Sequence, residues 1–193
     1  MDEDYPSISA RAKAEGAEIH WGDEMGVSSV EHYPRGYTPK GKTRVLVLSQ
    51  AKRVRVSLFS SISNQGWPRF MLYRETFTGK VMIRFLERLI RDSKKRVFGV
   101  LDNLRVHRGR KVKEWLAGKE DQIELFFLPS YSPKLNPVEY FNCDLKSSII
   151  RGRPVREKGQ MTTSVLSIMR SLQKQPGRLL SCLQAEKIRY AAA

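Results

Sequence analysis

Two stretches decide the fold: Arg96-Val97-Phe98-Gly99-Val100-Leu101-Asp102-Asn103 and, 19 residues later, Ile123-Glu124-Leu125-Phe126-Phe127-Leu128-Pro129. The first is apolar from Val97 to Leu101 and stops at an acid, which suits a central strand covered on both faces better than an edge strand. A helix fits between the two, from about 108 to 117. Strand, helix and strand in so short a span imply a parallel pair joined by a right-handed crossover. Towards the N-terminus, Met82, Phe85, Leu86, Leu89 and Ile90 keep the spacing of an amphipathic helix over about 79–91. Before it the period falls to two: Val54, Val56 and Leu58 alternate with Arg53, Arg55 and Ser57 in a strand over 54–59. Strands over 45–49 and 70–73 complete an antiparallel group. A short strand over 17–22 comes first, ending at Asp23-Glu24 and leading to a loop with Pro34, Gly36, Pro39 and Gly41. Towards the C-terminus, a loop over 129–136 opens a helix from Pro137 to about Ile149. An amphipathic helix carrying Met161, Val165, Ile168, Met169 and Leu172 follows, then a short one over 179–183. The expected fold is α/β, a mixed sheet with antiparallel first strands, parallel later strands and helices on both faces.

The 193 residues carry 35 Lys and Arg against 20 Asp and Glu, a formal charge of +15. The surplus is uneven. Residues 32–74 hold nine cations and no acid, and residues 140–193 hold ten cations against Asp144, Glu157 and Glu186. Clustered cations gain affinity by releasing counterions from a phosphate backbone, so the expected partner is a polyanion; the plain alternative is a basic, solvated surface. Cys143 and Cys182 are too few and too isolated for a disulfide framework, which points to a reducing compartment. No apolar stretch approaches the roughly 20 residues that span a bilayer.

In open α/β sheets functional groups gather where strands end. Asp23 is expected at the end of the first strand, Asp102 at the end of the central one, and Glu139 in the helix after the last. Three oxygen ligands without Cys or His pairs suit Mg²⁺ or Mn²⁺, and two such ions would serve an in-line displacement at phosphorus. Each acid also has a simpler explanation. Asp23-Glu24 reads as a turn, and Asp102-Asn103 as a turn or helix cap. Asn136, Pro137 and Glu139 read as the N-cap, N1 and N3 of a capping-box-like helix start.

Three local sequences favour the functional reading: Trp21-Gly22-Asp23-Glu24-Met25-Gly26, Leu101-Asp102-Asn103-Leu104-Arg105-Val106-His107, and Leu128-Pro129-Ser130-Tyr131-Ser132-Pro133-Lys134-Leu135-Asn136-Pro137-Val138-Glu139. Together they resemble the catalytic domain of bacterial insertion-sequence transposases of the mariner-like DDE superfamily. The resemblance implies a ribonuclease-H-like fold and a metal-binding triad of Asp23, Asp102 and Glu139, with 36 residues between the last two. It implies two Mg²⁺ or Mn²⁺ ions, cleavage of double-stranded DNA at transposon ends, and attack of the freed 3′-hydroxyl on target DNA. Asn103, His107 and Asn136 are expected beside the site or on DNA, and Arg35, Lys40, Lys42, Tyr131 and Lys134 as DNA contacts. His20 is expected to be a packed histidine.

By the same resemblance, residues 1–16 are a residual interdomain linker, 17–150 the catalytic core, and 151–193 a helical extension packed on it. The expected location is a bacterial cytoplasm, on chromosomal or plasmid DNA. A homodimer and a separately encoded N-terminal DNA-binding half are the expected protein partners. No helix-turn-helix region precedes Asp23, so a catalytically silent DNA-binding remnant or regulator stays open as the second reading.

Overall fold

The computed structural model describes residues 4–29, 37–42, 54–130, 132–151, 155 and 157–192. The expected strand over 45–49, Arg35 and Tyr131 lie outside the described residues. The chain opens with helix α1 (Asp4–Glu15) and strands β1 (Glu18–Ser28), β2 (Arg55–Ser63) and β3 (Pro68–Tyr73). Helix α2 (Gly79–Ser93), β4 (Val97–Leu101), α3 (Arg110–Leu116) and β5 (Ile123–Phe127) follow. A 3-10 turn (Pro133–Leu135) leads into α4 (Pro137–Arg151), then α5 (Lys158–Gln173), α6 (Pro176–Leu183) and a closing 3-10 turn (Glu186–Ala192).

Among the described residues the strands form one sheet in the order β3-β2-β1-β4-β5. β1 pairs antiparallel with β2, and β2 with β3; β1 pairs parallel with β4, and β4 with β5. β4 is buried at every position, as its unbroken apolar run requires. Its pairing with β1 runs only from Glu18 opposite Val97 to Gly22 opposite Leu101, whereas β1 pairs with β2 as far as Ser28 opposite Arg55.

Alternation sorts the side chains into two cores. Trp21, Val56, Leu58, Phe98 and Val100 face α1, α4, α5 and α6, joined by Phe141, Leu145, Val165 and Leu179. Phe59, Met71, Val97 and Leu101 face α2 and α3, joined by Met82, Phe85, Leu89 and Val112. Gly22 is required at the seam, because a Cβ there would lie 2.6 Å from Leu101 Cδ2.

Two expectations give way. Asp23-Glu24 is not a strand end: β1 continues through both acids because Trp21, Met25 and Val27 keep the period of two on a buried face. Residues 4–15, expected as linker, form α1, whose Tyr5, Ile8 and Ala12 enter the core at helical spacing. Its Arg11 reaches Glu124 Oε2 on β5 at 2.7 Å. The C-terminal turn returns to the same place. Tyr5, Trp21 and Tyr190 form a trio with ring centroids 5.2–5.7 Å apart, and Tyr190 Oη donates to the carbonyl of Leu135. Helix α6 begins at Pro176, ahead of the expected 179, since proline suits a first helical turn.

Candidate active site

Asp23 points from β1 towards α4 and is 7% exposed. Its Oδ1 accepts the backbone N–H of Glu24 at 2.8 Å, and its Oδ2 accepts Nδ2 of buried Asn142 at 3.2 Å. Burial first, then the charges of Glu139 and Asp102, push its carboxyl from 3.8 up to about 8. The three acids, carried by a strand, the end of its neighbour and the first turn of a helix, thus share one electrostatic neighbourhood. Asp102 and Glu139 are half-buried above this floor.

The simpler explanations for Glu139 and Asp102 can be checked against hydrogen bonds. A capping box would have Glu139 accept the N–H of Asn136, but that N–H goes to the carbonyl of Pro133 at 2.9 Å. Asn136 is the cap, its Oδ1 accepting from Val138 N–H at 3.1 Å, and its Nδ2 donates to the carbonyl of Gly22 at 3.3 Å. It is 2% exposed and ties α4 to β1 beside Asp23. The strand end at Asp102 is fixed by His107. That ring is 1% exposed and edge-on to Phe59 and Phe77; its Nδ1 lies 3.1 Å from the Asp102 carbonyl and 2.7 Å from Oδ1. His107 is therefore a buried neighbour of the acid.

Asn103 Nδ2 donates to Ser130 Oγ at 3.0 Å, joining the loops after β4 and β5. Lys40, Lys42 and Lys134 are exposed. His20 is packed as expected, 3.2 Å from Ser61 Oγ and 3.3 Å from Glu18 Oε2.

Sequence reasoning missed two residues. Asn142 lies three residues after Glu139 on the same helix, and that spacing puts both on one face. Glu24 lies on the opposite face of β1 from Asp23. Burial raises its carboxyl, while the nearby charge of His107 acts the other way.

Among the described residues no group of three or more His, Cys, Asp or Glu is gathered closely enough to hold a metal ion as it stands. The donors are nonetheless all carboxylate oxygens, and their mutual repulsion at Asp23 is what a cation would relieve. Such an open set fits Mg²⁺, which takes one or two carboxylates and keeps other positions for water and phosphate oxygens.

A family model for the DDE superfamily endonucleases matches residues 18–162, most of the chain, including all three acids. The chain belongs to this family. No curated protein matches the sequence of this DDE superfamily endonuclease. Among solved structures, the Mos1 transposase paired-end complex with left transposon end is similar at TM-score 0.67 and 16% identity, over 97% of this chain and 60% of that one. The Mos1 mariner paired end complex with Mn gives 0.66 and 16%, over 98% and 60%. The catalytic domain of Mos1 mariner transposase gives 0.59 and 15%, over 97% and 90%. The chain thus spans 60% of the length of those paired-end complex chains. At these identities the likeness is one of fold, and the DDE superfamily endonuclease has the ribonuclease-H-like sheet expected from its sequence.

Proposed function

We propose that the chain is the catalytic domain of a DNA transposase, cutting DNA at transposon ends and joining the freed 3′-hydroxyl to target DNA, with Asp23, Asp102 and Glu139 holding two Mg²⁺ or Mn²⁺ ions. The observation that carries this is the field at Asp23, where burial and the other two acids raise the carboxyl to about 8. When bound, a pair of divalent ions acidifies the attacking water or hydroxyl and offsets charge on the leaving oxygen. The chain's own residues hold the acids still. Glu24 N–H and Asn142 grip Asp23 from two sides, His107 holds the backbone at Asp102, and Asn136 ties the first turn of α4 to β1. Supporting this reading, solved Mos1 structures include a strand transfer complex and paired-end complexes with Mg and with Mn. The partners in this reading are transposon-end and target duplexes, a second copy of the chain, and a separately encoded end-recognition half, in a bacterial cytoplasm. No described helix is long and apolar enough to cross a membrane.

The test is incubation of the protein with Mg²⁺ or Mn²⁺ and labelled, pre-nicked element-end DNA, beside Asp23→Asn, Asp102→Asn and Glu139→Gln. Cleavage or joining is expected from the parent and from none of the variants. Products made equally well by the variants would defeat the assignment of the triad.

A further inference from the structure

Between Asp102 and Glu114 the chain carries Arg105, Arg108, Arg110, Lys111 and Lys113 and no acid. All five are exposed. The run lies outside both basic stretches noted in the sequence, and the fold gives it a definite place. The loop leaves the end of β4 at Asp102, is tied to the loop after β5 through Asn103 and Ser130, and is pinned back by His107. Helix α3 then packs through Val112, with Trp115 and Leu116 partly buried. Its cations remain outside, on the sheet face opposite α4. Arg108 lies over the ring of Phe127, 4.5 Å from its centroid, so the patch continues to the end of β5.

Several arginines elsewhere are already held in ion pairs. Arg11 and Arg96 are engaged by Glu15 and Glu124, Arg84 by Glu75, and Arg178 by Asp144. Among the described residues, only Arg110 of the five has an acidic partner, Glu114 at 3.5 Å one helical turn on. An exposed pair of that kind is worth little and yields readily to a phosphate. Keeping so many unpaired like charges together costs self-repulsion, which an anionic ligand would relieve.

We infer that the loop after Asp102 and helix α3 form the surface on which the phosphate backbone of duplex DNA lies as it approaches the acids. This rests on the function proposed above and adds where the DNA is held. The seven residues of α3 cover roughly 10 Å of axis at about 1.5 Å each. That length, with the loop before it, matches about three phosphates at roughly 3.4 Å of rise per strand step.

Binding of a labelled blunt duplex of arbitrary sequence, in chelator and across a salt series, separates this inference from catalysis. Combined neutralisation by Arg105→Gln, Arg108→Gln, Lys111→Gln and Lys113→Gln is expected to flatten the plot of log affinity against log salt by about 3, at about 0.9 per phosphate contact. A control with Lys158→Gln, Arg170→Gln, Lys174→Gln and Lys187→Gln is expected to change it by less than about 1. In unaltered protein, DNA is expected to shield Lys111 and Lys113 from amine acylation more than Lys158 and Lys174. An unchanged slope in the first variant, an equal loss in the control, or equal shielding overturns the inference and leaves the proposed function standing. A parent that binds no duplex overturns both.

Discussion

Asp23 and Glu24 are consecutive acids, yet the period of a strand sends them to opposite faces of β1, so only one can look towards Glu139. The buried one has a measurable signature. Its carboxyl sits at about 8 in the folded chain against an ordinary 3.8, so between these values the folded state keeps a proton that the unfolded state has released. Stability of the metal-free protein is therefore expected to fall as pH rises from about 4 to about 8. Urea midpoints in chelator would show this decline, Asp23→Asn would flatten it, and Mg²⁺ would restore stability most at the alkaline end. Asn136 offers a second test at this scale, since its two hydrogen bonds can be removed separately. Asn136→Asp keeps the acceptor for Val138 N–H but loses the donor to Gly22. It also places a carboxylate against that carbonyl in a buried position, so it is expected to lose more thermal stability than Asn136→Ala, which loses about 1 kcal/mol, and both are expected to slow DNA joining.

At the scale of elements, what could be read from the sequence followed the strength of each pattern. Gly79–Ser93 carries large apolar residues on one stripe, and β4 carries no polar side chain, so both were legible almost to their ends. Helix α1 was not, because its inner face is built from Tyr5, Ile8 and the small Ala12, too thin a stripe beside acidic flanks. The turn read at Asp23-Glu24 failed for a related reason: residue preference was weighed locally, whereas pairing with β2 decides the conformation. The three acids were singled out by motif resemblance, and the fold brings their charges to bear on one another. Their supports were not legible, since the contacts of Asn142 and His107 exist only once α4 and the β4 loop are folded. Tyr5 tests whether α1 belongs to the fold. Tyr5→Ala is expected to cost about 3 kcal/mol in urea unfolding, as for other buried aromatics. Tyr5→Phe is expected to cost little, because its hydroxyl makes only a long 3.4 Å bond to the Ala191 carbonyl.

Around the site, charge is divided by depth. Acids lie at the floor and rim of the site, and unpaired cations stand outside it on the loop and helix that leave Asp102. The +15 total describes neither population. The sheet has its own division. Up to Gly22, β1 is hydrogen-bonded on both sides; beyond it, among the described residues, only β2 accompanies the strand. Asp23 is the first residue past this change, and Asp102 is the first past the end of β4. The two acids therefore belong to different parts of the sheet, an antiparallel ribbon and a parallel slab, that among the described residues share no ladder where the acids sit. With no rung between them, the spacing of the two acids rests on side-chain contacts outside the sheet, those of Asn142 with Asp23, Asn136 with Gly22 and His107 with Asp102.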